Sequence, residues 1–180
     1  MNSCSKKSDL QDMSALQPEV GAPNEILFVI SQLEIGGTEQ HILRIAPALK
    51  RRGWNTVVYS LAGRGPLLDR FEAAGVAVIL PPADRAQQRM SFLVRVSRLA
   101  SASAHLLGVL WRKRRAIVHF FLPSAYVTGA PLALLAGSRI RLMSRRSLNG
   151  YQKDRWLFAK LEPFLHRTMH AVLGLSLIHI

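Results

Sequence analysis

The sequence has a single cysteine, Cys4, and few acidic residues: 11 Asp and Glu stand against 24 Lys and Arg. One cysteine excludes an internal disulfide and fits a reducing compartment such as the cytoplasm. The shortage of acid gives a formal net charge of +13, which attracts nucleic acid, acidic lipid or phosphorylated substrates. Charge alone selects none of the three.

Targeting and membrane-spanning signals are also scarce. Residues 1–24 are polar and lack the apolar core of a secretory signal, so they are predicted to form a disordered polar leader. The stretch from Ile117 to Ser138 has no charged residue except histidine and is long enough to cross a bilayer. Its prolines, glycines and His119 favour a buried strand followed by a buried helix over a membrane span.

Several catalytic motifs are absent from the sequence. It has no G-x-G-x-x-G dinucleotide fingerprint, no phosphate-binding loop ending in Gly-Lys-Ser/Thr, and no G-x-S-x-G nucleophile motif. No cluster of His, Cys, Asp and Glu has the spacing of metal ligands. The basic run Arg112–Arg115 lacks the interleaved aromatics typical of nucleic-acid binding; a solvated helix end or contact with acidic lipid fits it better.

From residue 25 onwards, short apolar runs alternate with amphipathic helical patterns. This alternation predicts an α/β fold, a Rossmann-like parallel sheet with helices on both faces. Helices are predicted after each of the first five strands, with Thr38 as the N-cap of the first and Gly53 and Gly75 ending the first two. The predicted strands are Ile26–Leu33, Thr56–Leu61, Val76–Leu80, Ile117–Leu122, Ile140–Ser144 and Ala171–Leu175.

The glycine pair Gly36–Gly37 follows the first predicted strand and precedes Thr38, where a helix is expected to begin. Glycines at such a turn let a ligand approach the backbone, and a helix N-terminus favours an anion, usually a phosphate. The alternative is simply a tight turn. The pattern therefore indicates a phosphate-bearing ligand at the carboxyl edge of the sheet.

Other polar residues follow later strands, where ligands of parallel sheets gather. His119 lies in the fourth strand and is either a structural histidine or a group that contacts substrate and moves a proton. Arg145 and Arg146 follow the fifth strand and are either solvated or able to grip a phosphate.

The order of these features resembles the N-terminal domain of a GT-B glycosyltransferase of the retaining family 4. The resemblance covers residues 25–176, and its motifs are individually loose but specific in order and spacing. They are the first strand with Gly36–Gln40, then Gly53–Ser60, Phe71–Val76, Ile117–His119, Ser144–Ser147 and Ala171–Ser176.

The resemblance implies roles for these residues. Gly36, Gly37 and Thr38 would bind the donor diphosphate, and His119 would lie beside the reacting centre. Ser124 stands where many relatives have a second histidine; with Arg145 and Arg146 it would contact the acceptor. The donor would be a nucleotide sugar, the acceptor a lipid-linked or cell-surface glycan, and no metal or other cofactor would be required.

The resemblance also implies a missing partner, the C-terminal domain that binds most of the donor. Residues 177–180 are accordingly expected to be a non-native or truncated tail, and residues 25–176 to be inactive alone. The expected location is the cytoplasm, peripheral on the inner face of the plasma membrane, with no nucleic-acid partner. The alternative function is a basic, membrane-peripheral binding module without catalysis.

Overall fold

The computed structural model describes residues 24–82, 92–145 and 167–174. Six parallel strands form one sheet in the order β3-β2-β1-β4-β5-β6, which confirms the predicted α/β class. The strands are β1 (Glu25–Ile30), β2 (Asn55–Ser60), β3 (Ala77–Ile79), β4 (Ile117–Phe121), β5 (Ile140–Arg145) and β6 (Ala171–Gly174).

Helices cover both faces of the sheet because successive side chains of each buried strand point to opposite faces. On one face Phe28 and Val58 pack with the first two helices, and on the other Val29 and Val118 pack with the last two. The helices are α1 (Gly37–Arg51), α2 (Leu68–Ala73), α3 (Phe92–Arg112) and α4 (Pro123–Leu135).

The ends of α1 and α2 follow the sequence prediction. Gly53 and Gly75 adopt φ values of 87° and 70°, a left-handed conformation that suits glycine. After α1, the N–H of Gly53 donates to the carbonyl of Lys50 and that of Trp54 to the carbonyl of Leu49. This pattern is a Schellman motif, which satisfies the last carbonyls of the helix.

Most strand boundaries lie within one residue of the prediction, but two differences at the carboxyl edge of the sheet are larger. β1 ends at Ile30 rather than Leu33, since Ser31 and Leu33 leave the sheet and accept hydrogen bonds from Ala62 and Leu67. Thr38 is not the N-cap of α1: Gly36 is the last residue in extended conformation, so helical geometry already begins at Gly37.

Four sequence predictions lie outside the described residues. They concern the leader up to residue 23, the site residue Arg146, most of the helix predicted after the fifth strand, at residues 156–169, and the tail 177–180. None of the helices among the described residues is long and apolar enough to cross a bilayer. The uncharged stretch considered for a membrane span is β4 and α4.

Candidate active site

The strand order reverses between β1 and β4. The chain runs from β1 outward to β2 and β3, then returns to the other side of β1 through β4, β5 and β6. After β1 the chain enters α1 on one face, and after β4 it enters α4 on the other. A crevice opens at such a reversal point, beyond the carboxyl ends of the strands, and ligands of open α/β sheets bind there.

Two serines join the walls of this crevice. The hydroxyl oxygens of Ser31, which follows β1, and Ser124, in the first turn of α4, lie 2.5 Å apart. The structure therefore places Ser124 at the reversal point. Ser31 was not identified from the sequence, since no local pattern marks a serine whose partner lies in a distant part of the chain.

The turn between β4 and α4 is strained. Leu122 has φ 70° and ψ 148°, a conformation that costs a non-glycine residue of the order of 1–3 kcal/mol. Its carbonyl accepts the hydrogen bond from the N–H of Tyr126 that begins the helix. The strained residue allows α4 to start directly after the strand, which brings Ser124 to the crevice.

The glycine pair lies at the start of α1, on the β1 side of the crevice. Gly36 is the N-cap and has no side-chain capping bond, and its carbonyl accepts the first helical bond from Gln40 at 3.0 Å. The N–H groups of the first helical turn are not used by the helix itself. A side chain added at Gly37 would meet nothing within 4 Å, so there is open space beside this residue.

A carboxylate already lies at this helix start. Glu39 is only 4% exposed, and a Cβ built on Gly36 would lie 2.5 Å from its Oε2 atom. Glycine at position 36 therefore leaves room for the carboxylate of Glu39. The sequence carries a signal for this contact, a glutamate three residues after the N-cap, but Glu39 was not singled out.

Hydrogen bonds between two loops hold the β1 side of the crevice. The N–H of Leu67 donates to the carbonyl of Leu33, and that of Leu61 to the carbonyl of Ile30. Gly65 lies so close that an added Cβ would be 2.5 Å from the carbonyl oxygen of Leu33. The loop that leads to Gly36 is therefore packed directly against the loop that follows β2.

His119 lies in the middle of β4 and is 8% exposed. Its Nε2 atom is 2.8 Å from the hydroxyl of Ser144 on β5, and its ring centroid is 4.1 Å from that of Phe121. It also lines an apolar groove of about 270 Å³ with Phe28 and Leu142, its neighbours in register. Phe121 lies two residues closer than His119 to the carboxyl end of β4.

The two predicted arginines differ in what the structure describes. Arg145 is the last residue of β5 and pairs in register with Gly174 of β6, so its backbone lies at the carboxyl edge. Arg146 lies outside the described residues. Within the described ranges, no group of three or more His, Cys, Asp or Glu is placed to hold a metal ion.

Fold and crevice together define an α/β domain of the Rossmann-like kind, and the solved structures that share this fold include a glycosyltransferase. HepE from Anabaena, solved with UDP and glucose, matches with a TM-score of 0.59 and 18% identity, covering 82% of this chain and 37% of that one. A glycosyltransferase from Rickettsia africae matches with a TM-score of 0.54 and 18% identity, covering 86% and 37%.

MurG from Acinetobacter baumannii matches with a TM-score of 0.54 and 12% identity, covering 84% of this chain and 40% of that one. The chain thus spans 37% to 40% of the length of these proteins. Neither a protein-family model nor a curated protein sequence matches it. At 12% to 18% sequence identity, this similarity shows a shared fold and no more.

Proposed function

We propose that this chain is the acceptor-side domain of a retaining, nucleotide-sugar-dependent glycosyltransferase of family 4. The observation that carries the proposal is the crevice between β1 and β4, with the start of α1 on one side and Ser124 on the other. Ligands of open α/β sheets bind in such a crevice, and donor and acceptor would meet there. The acceptor would be a lipid-linked or cell-surface glycan precursor.

The N–H groups around Gly36, Gly37 and Thr38 would stabilise the donor diphosphate, including the charge that develops on it as a leaving group. The open space beside Gly37 supports this assignment. Ser124, Arg145 and Arg146 would contact the acceptor from the β4 and β5 side. The chemistry would require no metal, since helix N–H groups and arginines would supply the compensating charge.

His119 is proposed to act beside the reacting centre. Its Nε2 atom is paired with the hydroxyl of Ser144, and a role beside the reacting centre would involve this pair. The main donor site would lie in a further domain of a longer parent protein. The chain alone would therefore bind the diphosphate weakly and transfer no sugar.

The proposal is tested by titrating the chain with UDP and following its backbone amides by NMR. We expect the largest shift changes at Gly36, Gly37 and Thr38, and weak binding. Gly37→Val should lower the affinity about tenfold or more, because its side chain fills the space beside the helix start. Gly108→Val is the control, since Gly108 lies in α3 and an added Cβ there also meets nothing.

Two results would count against the diphosphate site: NMR chemical-shift changes confined to the amino edge of the sheet, or equal affinity of the wild type and Gly37→Val for UDP. Sugar transfer is tested separately by incubating the chain with UDP-glucose and analysing the products. Turnover by the chain alone would overturn the proposal that it is inactive without a further domain.

A further inference from the structure

Two helix ends meet at the amino edge of the sheet, opposite the candidate active site. α3 ends at Arg112 and α4 at Leu135. The N–H of Arg139, after α4, donates to the carbonyl of Arg114, after α3, at 3.1 Å. We call this region the helix-end surface; it comprises Trp111, Arg112, Arg114, Arg115, Leu134, Leu135 and Arg139.

The helix-end surface exposes large apolar side chains. Trp111 is 63% exposed, Leu135 76% and Leu134 39%. Single exposed apolar residues are common on proteins, whereas a group rimmed by polar residues marks an interaction site. Here an indole and two isobutyl groups occupy the last turns of two helices whose following turns are hydrogen-bonded to each other. The grouping indicates a partner that offers apolar contact.

The same surface is strongly cationic. Arg112, Arg114, Arg115 and Arg139 are exposed, and the sequence contains no Asp or Glu between Asp84 and Asp154. Glu25, the acidic residue at the start of β1, is already paired with Lys113 at 2.5 Å and accepts a hydrogen bond from Asn55. No acidic residue of α3, α4 or the turns after them therefore neutralises the charge of these arginines.

We propose that the helix-end surface docks on an anionic lipid bilayer. Tryptophan suits the boundary between headgroups and acyl chains, and leucine side chains gain by leaving water there. Each arginine near an anionic bilayer adds electrostatic attraction to the surface. A nucleic acid would match the charge but would leave Leu134 and Leu135 without an apolar partner, so the lipid surface fits both features. The inference stands without the proposed glycosyl transfer.

Docking at the amino edge would leave the carboxyl edge, with Gly36 and Ser124, facing away from the bilayer. Of the two acceptors proposed above, this orientation favours the cell-surface glycan precursor over a lipid-linked one held in the same bilayer. Lipid binding and binding of a small ligand in the crevice should therefore be independent. Vesicles that change the affinity for UDP more than about threefold would contradict this orientation, because a change in affinity measures coupling between the two sites.

The test is sedimentation of the full chain with vesicles of phosphatidylglycerol mixed with phosphatidylcholine, and with phosphatidylcholine alone. We expect binding to the anionic vesicles only. Leu135→Ser should weaken it about 3- to 10-fold, since it removes one buried leucine. The matched control is Ile35→Ser, because Ile35 is 73% exposed but lies in the loop beyond the carboxyl end of β1; it should bind as the wild type does.

Charge is tested with two double variants of equal net charge. Arg114→Gln with Arg115→Gln should lower binding about tenfold or more, whereas Arg44→Gln with Arg70→Gln, exposed positions on α1 and α2, should lower it less than threefold. Equal loss in both doubles would show general charge attraction and overturn the proposed surface. Absence of binding to anionic vesicles would overturn it as well.

The position of Trp111 gives a further readout. Lipids brominated on their acyl chains should quench the fluorescence of vesicle-bound protein, and Trp111→Phe should remove most of that quenching while keeping the binding. Quenching unchanged in Trp111→Phe would contradict the proposal. Tighter binding to a single-stranded oligonucleotide than to vesicles, with the same dependence on Leu135, would assign the surface to nucleic acid instead and overturn it.

Discussion

The hydroxyl oxygens of Ser31 and Ser124 lie 2.5 Å apart although 93 residues separate them in the chain. Each follows a strand at the point where the strand order reverses, so their hydrogen bond links the two sides of the crevice.

A double-mutant cycle on Ser31→Ala and Ser124→Ala should detect this link. Each single variant should lower the free energy of unfolding by about 0.5–1.5 kcal/mol. The double variant should lower the free energy of unfolding by less than the sum of the two single effects, because both changes remove the same hydrogen bond. Urea denaturation followed by circular dichroism measures all four proteins. Additive costs would mean that the two hydroxyls do not interact in solution.

Glycines on the β1 side of the crevice should differ sharply in their tolerance of alanine. An added methyl group at Gly65 would lie 2.5 Å from the carbonyl oxygen of Leu33, whereas at Gly37 it would meet nothing. Gly65→Ala should therefore lower the stability by about 1–3 kcal/mol, and Gly37→Ala should raise it or leave it within about 0.5 kcal/mol. Thermal unfolding of the two variants decides the point; equal stability would contradict the packing of the two loops.

Glu39 should compete with anions for the start of α1. Its carboxylate lies beside Gly36, so a bound diphosphate must displace it or accept its repulsion. Glu39→Gln keeps the shape of the side chain and removes the charge. We expect it to bind UDP about 3- to 10-fold more tightly and to lose up to about 1 kcal/mol of stability from the helix dipole. Calorimetric titration measures the affinity.

The matched control for Glu39 is Glu34→Gln, because Glu34 is exposed in the loop before the helix. It removes the same charge from an exposed position in the loop, not from the side chain that lies against Gly36, and should change the affinity for UDP less than twofold. Weaker binding in Glu39→Gln would instead make Glu39 a favourable contact of the ligand.

The fold was predictable because its signals are local. Buried parallel strands carry apolar residues on both faces, as Phe28 and Val29 show, and helix ends carry glycines such as Gly53 and Gly75. Such patterns depend on backbone geometry within a few residues. The order of the elements then indicated a parallel sheet, and the structure confirms it.

The details of the site were less predictable because they depend on contacts between distant segments. The sequence nominates His119 and Ser124, but nothing local pairs His119 with Ser144 or Ser124 with Ser31. The prediction of Thr38 as the N-cap was wrong. Threonine and glycine are both acceptable N-cap residues, so residue type alone does not choose between Thr38 and Gly36. The path of the chain after Leu33 decides where the helix starts.

Two buried serines at opposite ends of β5 should respond differently to alanine. The hydroxyl of Ser144 is bonded to His119, whereas that of Ser138 is buried without a partner among the described residues. Ser144→Ala leaves a buried ring nitrogen without that partner and should cost about 1–3 kcal/mol. Ser138→Ala removes an unsatisfied group and should be neutral or stabilising by about 1 kcal/mol.

Urea denaturation of the two alanine variants provides the measurement, and the ranking is the critical result. If Ser138→Ala proved the more destabilising, its hydroxyl would have to bond a group that the described residues do not include. Loss of the His119–Ser144 bond should also alter the ring signals of His119 in the NMR spectrum, which a general loss of packing would not do selectively.

Tyr59 should make the protein sensitive to alkali. It lies buried under α3, with its hydroxyl oxygen 3.2 Å from the carbonyl of Ala102 and 3.1 Å from Nδ1 of His105. Burial raises the pKa of Tyr59 from 10.0 to about 12. Because the folded pKa is above the unfolded one, this contribution to stability is fully present below pH 10 and is lost as the pH rises towards 12.

Comparison with Tyr59→Phe isolates this effect from the titration of lysines, because the phenyl ring of the variant packs similarly but does not ionise. The stability of the wild type relative to the variant should fall by about 2 kcal/mol between pH 9 and pH 11.5, since one pKa unit corresponds to about 1.4 kcal/mol. Urea denaturation at a series of pH values measures the difference. If the stability difference between the wild type and Tyr59→Phe stayed constant up to pH 11.5, the phenol would ionise as readily in the folded protein as in the unfolded chain. That result would be incompatible with the burial of Tyr59 under α3.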